Sequence, residues 1–182
     1  MFIQTEPTPN PASLKFIPGR TVISGGTVDY RSAEEAGASP LALRLFDVAG
    51  VAGVFLGADF VTVTKTDDRD WAVLKPMILG AIMEHYTSGD VAVSAADEEE
   101  SFDPADAEIV AQIKEIIEAR VRPVVARDGG DIVFKGFRDG VVYLNMRGSC
   151  SGCPSSTMTL KHGIENMMRH FIPEVQAVEA VQ

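Results

Sequence analysis

Cysteine is scarce in this chain: two residues, Cys150 and Cys153, in a length of 182. That is too few for the disulfide framework of a small secreted domain, and such a pair fits a reducing compartment where thiols serve metal or redox chemistry. Positive charge is short as well. The 16 Lys and Arg stand against 26 Asp and Glu, a formal net charge of -10, and no stretch is rich in Lys or Arg. The basic surface that a phosphate backbone requires is missing, so no nucleic-acid partner is expected. No apolar run approaches the roughly 18 residues of a bilayer span, so no membrane association is expected either. The amino terminus, Met1-Phe2-Ile3-Gln4, carries neither a signal peptide's apolar core nor an Arg-rich transit pattern, which makes cytoplasmic the expected localisation. No internal repeat relates the two halves, which excludes a solenoid.

What is present divides the chain. Residues 87–103 hold 6 acidic and no basic residues, including the run Asp97-Glu98-Glu99-Glu100, and read as an acidic, solvated linker. Before it, residues 1–86 carry 7 basic and 10 acidic residues; after it, residues 104–182 carry 9 and 10. The linker therefore holds most of the excess negative charge, and the expected organisation is two small domains, 1–86 and 104–182.

In the first domain, Leu14-Lys15-Phe16-Ile17 before Pro18-Gly19 reads as a strand ended by a turn, following a proline-rich stretch that cannot be helical. Ser39-Pro40 opens a helix, with Ser as N-cap and Pro at the first helical position. Two β-rich runs joined at Gly57-Ala58-Asp59 form a hairpin. Trp71, Leu74, Ile78, Ile82 and His85 share one helical face, with Pro76 implying a kink or a later start. The outcome is a small sheet with helices on one side and no catalytic cluster. His85 is expected at a half-buried surface position.

In the second domain a helix opens at Asp103-Pro104, buries a stripe through Ile109, Ile113, Ile116, Ile117 and Val121, and stops near Pro123. Asp131–Phe137 and Val141–Met146 are strands joined by Asp139-Gly140, a two-residue turn whose central positions both need positive φ. A further helix, capped by Ser155 or Ser156, carries Leu160, Ile164, Met167 or Met168 and Phe171 on its face. The expected class is α+β: two small two-layer domains, each a sheet with helices packed on one face.

Between the hairpin and this last helix lies Arg147-Gly148-Ser149-Cys150-Ser151-Gly152-Cys153-Pro154. Cys153 just before a helix N-terminus meets free amides and the positive helix end, which favour a thiolate. Gly148 and Gly152 allow a tight turn and an exposed loop. A tetrahedral zinc or a cubane cluster takes four protein ligands, and one chain offers two thiols. His162 and His170 follow on one helical face and read as surface residues. Two copies brought together by a two-fold axis would complete the set. A thiol-disulfide oxidoreductase remains open, although a hairpin rather than a βαβ unit precedes the motif, and so does a structural zinc clip. Asp128 and Asp131 around Gly129-Gly130 read as a structural turn rather than an acid-base pair. Lys161 stands either near the thiols or on the helix surface.

These elements carry a resemblance. Asp128-Gly129-Gly130-Asp131, the Gly148 to Ser156 stretch with its CxxC-Pro-Ser-Ser, Thr159-Leu160-Lys161 with Gly163-Ile164-Glu165, and Pro173-Glu174-Val175 are similar to the NifU carboxy-terminal domain. Thr8-Pro9-Asn10-Pro11, Leu14-Lys15-Phe16, Pro18-Gly19 and Phe60-Val61-Thr62-Val63 resemble the amino-terminal domain of the Nfu branch. The resemblance implies a non-enzymatic scaffold or carrier. It implies a 4Fe-4S cluster held by Cys150 and Cys153 and shared between two chains of a homodimer. Its partners would be an upstream cluster donor and client iron-sulfur apoproteins. The first domain, lacking reactive residues, would serve client recognition.

Overall fold

The computed structural model describes residues 1–90, 99–151 and 154–181, with side chains for all of these but 154–156. The chain forms two units, Met1–Ala96 and Asp97–Gln182, and the class is α+β.

The first unit is a five-stranded antiparallel sheet with helices against it. β1 (Gln4–Pro7), β2 (Ser13–Ile17), β3 (Val28–Tyr30), β4 (Val51–Leu56) and β5 (Val61–Lys65) lie in the order β1-β2-β5-β4-β3. The β4/β5 hairpin is the one expected at Gly57-Ala58-Asp59, closed by Gly57 N–H donating to Phe60 O at 2.9 Å. Pro7 ends an edge strand, where its missing N–H costs no ladder bond. α1 (Pro40–Phe46) starts as expected, with Ser39 Oγ accepting from Ala42 N–H at 3.2 Å. α2 (Trp71–Ser88) is capped by the Asp70 carboxylate. It starts five residues before Pro76 and runs on past it, so of the two outcomes expected from that proline the later start does not occur. Pro76 is exposed. Phe16, Leu45, Val54, Val63, Leu74, Ile78 and Ile82 close the core, each stabilising by about 1.5–3 kcal/mol when fully buried.

The second unit is a four-stranded mixed sheet, β6-β7-β8-β9, with β6 (Ser101–Phe102) and β9 (Ala177–Val181) parallel to their neighbours β7 (Gly130–Arg138) and β8 (Val141–Gly148). The β7/β8 turn is the Asp139-Gly140 turn, at φ of 51° and 78°. α3 (Ala107–Ile116) follows a single 3-10 turn, Pro104–Asp106. The helical path does not stop near Pro123. A wider π turn, Ile117–Val121, leads into α4 (Arg122–Arg127) with Pro123 in its first turn, where a missing N–H is tolerated. α5 (Pro154–Phe171) begins one residue before the serines expected to cap it. Ile164 and Met168 of α5 are buried, but Phe171 turns outward and receives the Arg120 guanidinium at 4.8 Å from its ring centre. Both ends of the span expected as linker belong to folded elements: α2 reaches Ser88, and Ser101–Phe102 is an edge strand. Residues 91–98 lie outside the described residues.

Candidate metal centre

Strand β8 delivers the thiol loop to one end of the second unit. Gly148, at φ 64°, turns the chain out of the strand, and Ser149, Cys150 and Ser151 follow. The loop is stitched to the turn that precedes β7. Ser149 N–H donates to Gly129 O at 3.2 Å, and Ser149 Oγ donates to Asp128 O. Ser151 Oγ donates to Gly148 O at 2.9 Å, and Thr157 Oγ1, from the first turn of α5, donates to Cys150 O at 2.8 Å. Three hydroxyls thus hold the backbone around Cys150 by its carbonyls, of which Gly148 O also accepts from Ser151 N–H at 3.1 Å.

The expected exposed loop is not found at Cys150. Its side chain is 7% exposed and belongs to the core that includes Ile132, Met146 and Ile164. Burial, then the negative charges of Asp128 and Asp131, push its thiol up to about 12, against a hydrogen bond from Ser149. In this position the group is a protonated thiol, a small apolar core member rather than a ready nucleophile. Cys153, expected as the second ligand, lies outside the described residues.

Gly130 makes room for that sulfur. A Cβ there would stand 2.5 Å from Cys150 Sγ and 2.8 Å from Arg147 O, so the second glycine of Gly129-Gly130 is required by close approach. Next to it, Asp131 accepts from Arg122 Nε at 2.8 Å and Arg122 Nη2 at 2.7 Å, and its Oδ1 also accepts from Ile132 N–H at 2.8 Å. The carboxylate is thus a buried half of a fork-to-fork pair, and the structural reading of Asp131 holds. Arg122 also pairs with Glu118. Sequence reasoning passed over Arg122, because its partner Asp131 lies nine residues away across a turn, beyond the reach of helical spacing.

The remaining candidates disperse. His162 and His170 are exposed on α5, and Lys161 is half-buried and pairs with Glu179 on β9 at 3.2 Å. Among the described residues no group of three or more His, Cys, Asp or Glu gathers as a metal cage. His85, expected half-buried, is 3% exposed. Its Nδ1 has no hydrogen-bond partner and lies 4.0 Å from Asp90 Oδ2.

Comparison with known proteins places these elements. Residues 3–89 match the family model of the scaffold protein Nfu/NifU N-terminal domain, and residues 113–179 match that of the NifU-like domain. A human protein named NFU1 iron-sulfur cluster scaffold homolog, mitochondrial, is 50% identical over all of this chain, which spans 72% of that protein's length.

The chain belongs to the Nfu/NifU scaffold family.

NifU-like protein 4, mitochondrial, from Arabidopsis thaliana is 50% identical over 98% of this chain, which spans 65% of that relative. The solution structure of a NifU-like protein from Saccharomyces cerevisiae superposes on 54% of the chain at 25% identity with a TM-score of 0.46. Both full-length relatives are named mitochondrial, which overturns the cytoplasmic expectation. That expectation rested on the first residues alone, and the folded units of an Nfu/NifU chain carry no mark of compartment in their composition.

Proposed function

We propose that this Nfu/NifU chain carries a 4Fe-4S cluster as cargo, held by Cys150 and Cys153 of two copies, and delivers it to client apoproteins without itself catalysing a reaction. The observation that carries the proposal is the ligand count: the chain has two cysteines, both on the loop between β8 and α5. A cubane needs about four thiolates, so a second chain supplies the other pair. The names of the relatives support iron-sulfur cargo, and the family supports scaffolding.

The residues around the loop fit such a role. Ser149, Ser151 and Thr157 hold the backbone on both sides of Cys150, while the side chain itself is held by packing and by one hydrogen bond from Ser149. Loading then requires Cys150 to leave its seat against Gly130 and to lose its proton, since the thiolate is the ligand. A seat that the empty protein fills with its own sulfur makes the cargo removable: on release, Sγ returns to apolar surroundings. A dithiol oxidoreductase would require the opposite, a leading cysteine that is open to solvent and readily ionised.

The test is anaerobic reconstitution with iron and sulfide, followed by size-exclusion chromatography with iron, sulfide and zinc measured across the protein peak. About four iron and four sulfide per two chains, in a dimer that separates when the cluster is chelated, is the expected result. An iron-free monomer that holds zinc would overturn it.

A further inference from the structure

Thr157 heads the stripe that α5 turns toward the core. At about 100° per residue it shares a side with Leu160, Ile164 and Met168, all apolar, of which Ile164 and Met168 are buried. A hydroxyl at the head of an apolar stripe needs a partner. Threonine in a helix commonly donates to the carbonyl four residues back, and Thr87 in α2 does so, with Oγ1 donating to Met83 O at 2.8 Å. Thr157 Oγ1 reaches outside its helix instead, to Cys150 O at 2.8 Å.

That bond joins the thiol loop to a helix that is itself held in two ways. Ile164 and Met168 fix α5 in the core, and Val178 N–H donates to Glu165 Oε2 at 3.1 Å while Lys161 Nζ meets Glu179 Oε2 at 3.2 Å, so α5 is also tied to β9. Ser149 ties the loop to the turn before β7, and Ser151 ties it to Gly148. Thr157 is thus the one of the three hydroxyls that comes from the α5 side, and the segment it closes contains both cysteines by covalent order. Sγ takes part in none of these backbone bonds. Rotation about Cα–Cβ lifts it off Gly130 and breaks only the hydrogen bond from Ser149, while the Cys150 carbonyl keeps its place on Thr157.

We propose, on the reading that Cys150 carries the cargo, that Thr157 is a positioning residue: it confines the movement of Cys150 to its side chain and thereby sets the rate at which cargo enters and leaves. Without the hydroxyl the backbone of residue 150 gains a second way to open, by coming off α5. The hold lost is one hydrogen bond, worth about twofold to tenfold in the population of open loop. The empty and the loaded chain lose the same bond, so the balance between them is unchanged. Exchange quickens in both directions, and the amount bound at saturation does not fall.

Three variants of the full chain test this. Thr157→Val removes the hydroxyl and keeps the shape, Thr157→Ala removes it with less bulk and decides the matter should the first not fold, and Thr157→Ser restores it. In an iron-free chain carrying Cys153→Ser, Cys150 is the sole thiol, and its alkylation should run about fivefold faster once Thr157→Val is added. With both cysteines present and the chain reconstituted anaerobically with iron and sulfide, loading and the loss of iron to a chelator should both quicken by a similar factor. Iron per chain at saturation should equal that of the parent, and the electron paramagnetic resonance signal of the reduced cluster should broaden as the loop takes more than one arrangement. Thr157→Ser should bring every rate to within about twofold of the parent. Unchanged alkylation and exchange rates, a fall in iron content in place of a rise in rate, or no rescue by Thr157→Ser would each overturn the role of Thr157 and leave the carrier reading standing. A parent chain that takes up no iron would overturn the carrier reading and, with it, any role of Thr157 in exchange.

Discussion

In the first unit the sheet and helices close on an apolar core that ends, beneath the last turn of α2, on a buried imidazole, His85. In the second, a core of similar make-up ends on a thiol, Cys150, at the mouth of a loop. Both groups are titratable, both are buried, and in both burial is the largest influence on their protonation. Their settings differ. His85 sits within a continuous helix whose backbone bonds are already made. Cys150 sits on a turn tied down by three hydroxyls, and its side chain is held by contact with Gly130 and a hydrogen bond from Ser149. A group inside a regular element is fixed by the whole element; a group on a stitched turn can leave while its anchors stay. That difference fits the proposed placing of the cargo on the second unit.

The largest expected effect falls on the cargo and on one unit alone. Cys150→Ser or Cys153→Ser should cut reconstituted iron by about tenfold or more, since a hydroxyl does not replace the thiolate ligand, while circular dichroism stays that of a folded chain. Full iron content in either variant would end the contrast between the units as a contrast in function.

Core truncations sharpen the independence of the two units. Leu74→Ala and Ile132→Ala each remove a fully buried side chain and should cost about 2–5 kcal/mol. Differential scanning calorimetry should show Leu74→Ala lowering only the first unit's transition and Ile132→Ala only the second's. Trp71, the sole tryptophan, reports the first. A shared shift from either change would mean that the units unfold together.

Gly130→Ala should destabilise the second unit by about 1–3 kcal/mol, because the added methyl meets Sγ and a backbone oxygen that cannot retreat. Urea unfolding followed with a second-unit probe reads this, and an unchanged midpoint would remove the packed seat from the account of Cys150.

The smallest effects are opposite pH windows. Burial lowers the His85 value, with Asp90 opposing it and Arg44 adding to it. The folded first unit therefore binds fewer protons than the unfolded chain, and its stability is present above about 6.5 and lost as pH falls below it. Cys150 keeps its proton to about 12, against 9.0 ordinarily. The second unit's stability is therefore present below about 9 and lost as pH rises from there. Unit-resolved denaturation midpoints from pH 5 to 10 check both; His85→Gln should flatten the acid limb and Cys150→Ser the alkaline one.

Much of this was legible in the residues. The Ser39-Pro40 start, the Gly57-Ala58-Asp59 hairpin, the Asp139-Gly140 turn and the α2 core stripe follow from local propensity and period, which act over a few residues and survive in any context. The short strands β1, β3, β6 and β9 were not legible, because two to five residues without strong alternation become strands only when a neighbour offers its edge. Pro76 and Pro123 misled for a related reason: a proline costs one backbone bond and a clash with the carbonyl four residues back, and the packing of the rest of the helix, or a wider turn before it as at Ile117–Val121, outweighs that cost.

At the site, the sequence by itself determined that there are two thiols and that they lie between a strand and a helix, since those are fixed by covalent order. Only the tertiary structure decided that Cys150 points into the core, that Gly130 is empty to admit it and that Arg122 holds Asp131. Each depends on distances between residues far apart in the chain, and close packing rather than spacing along the sequence sets those distances.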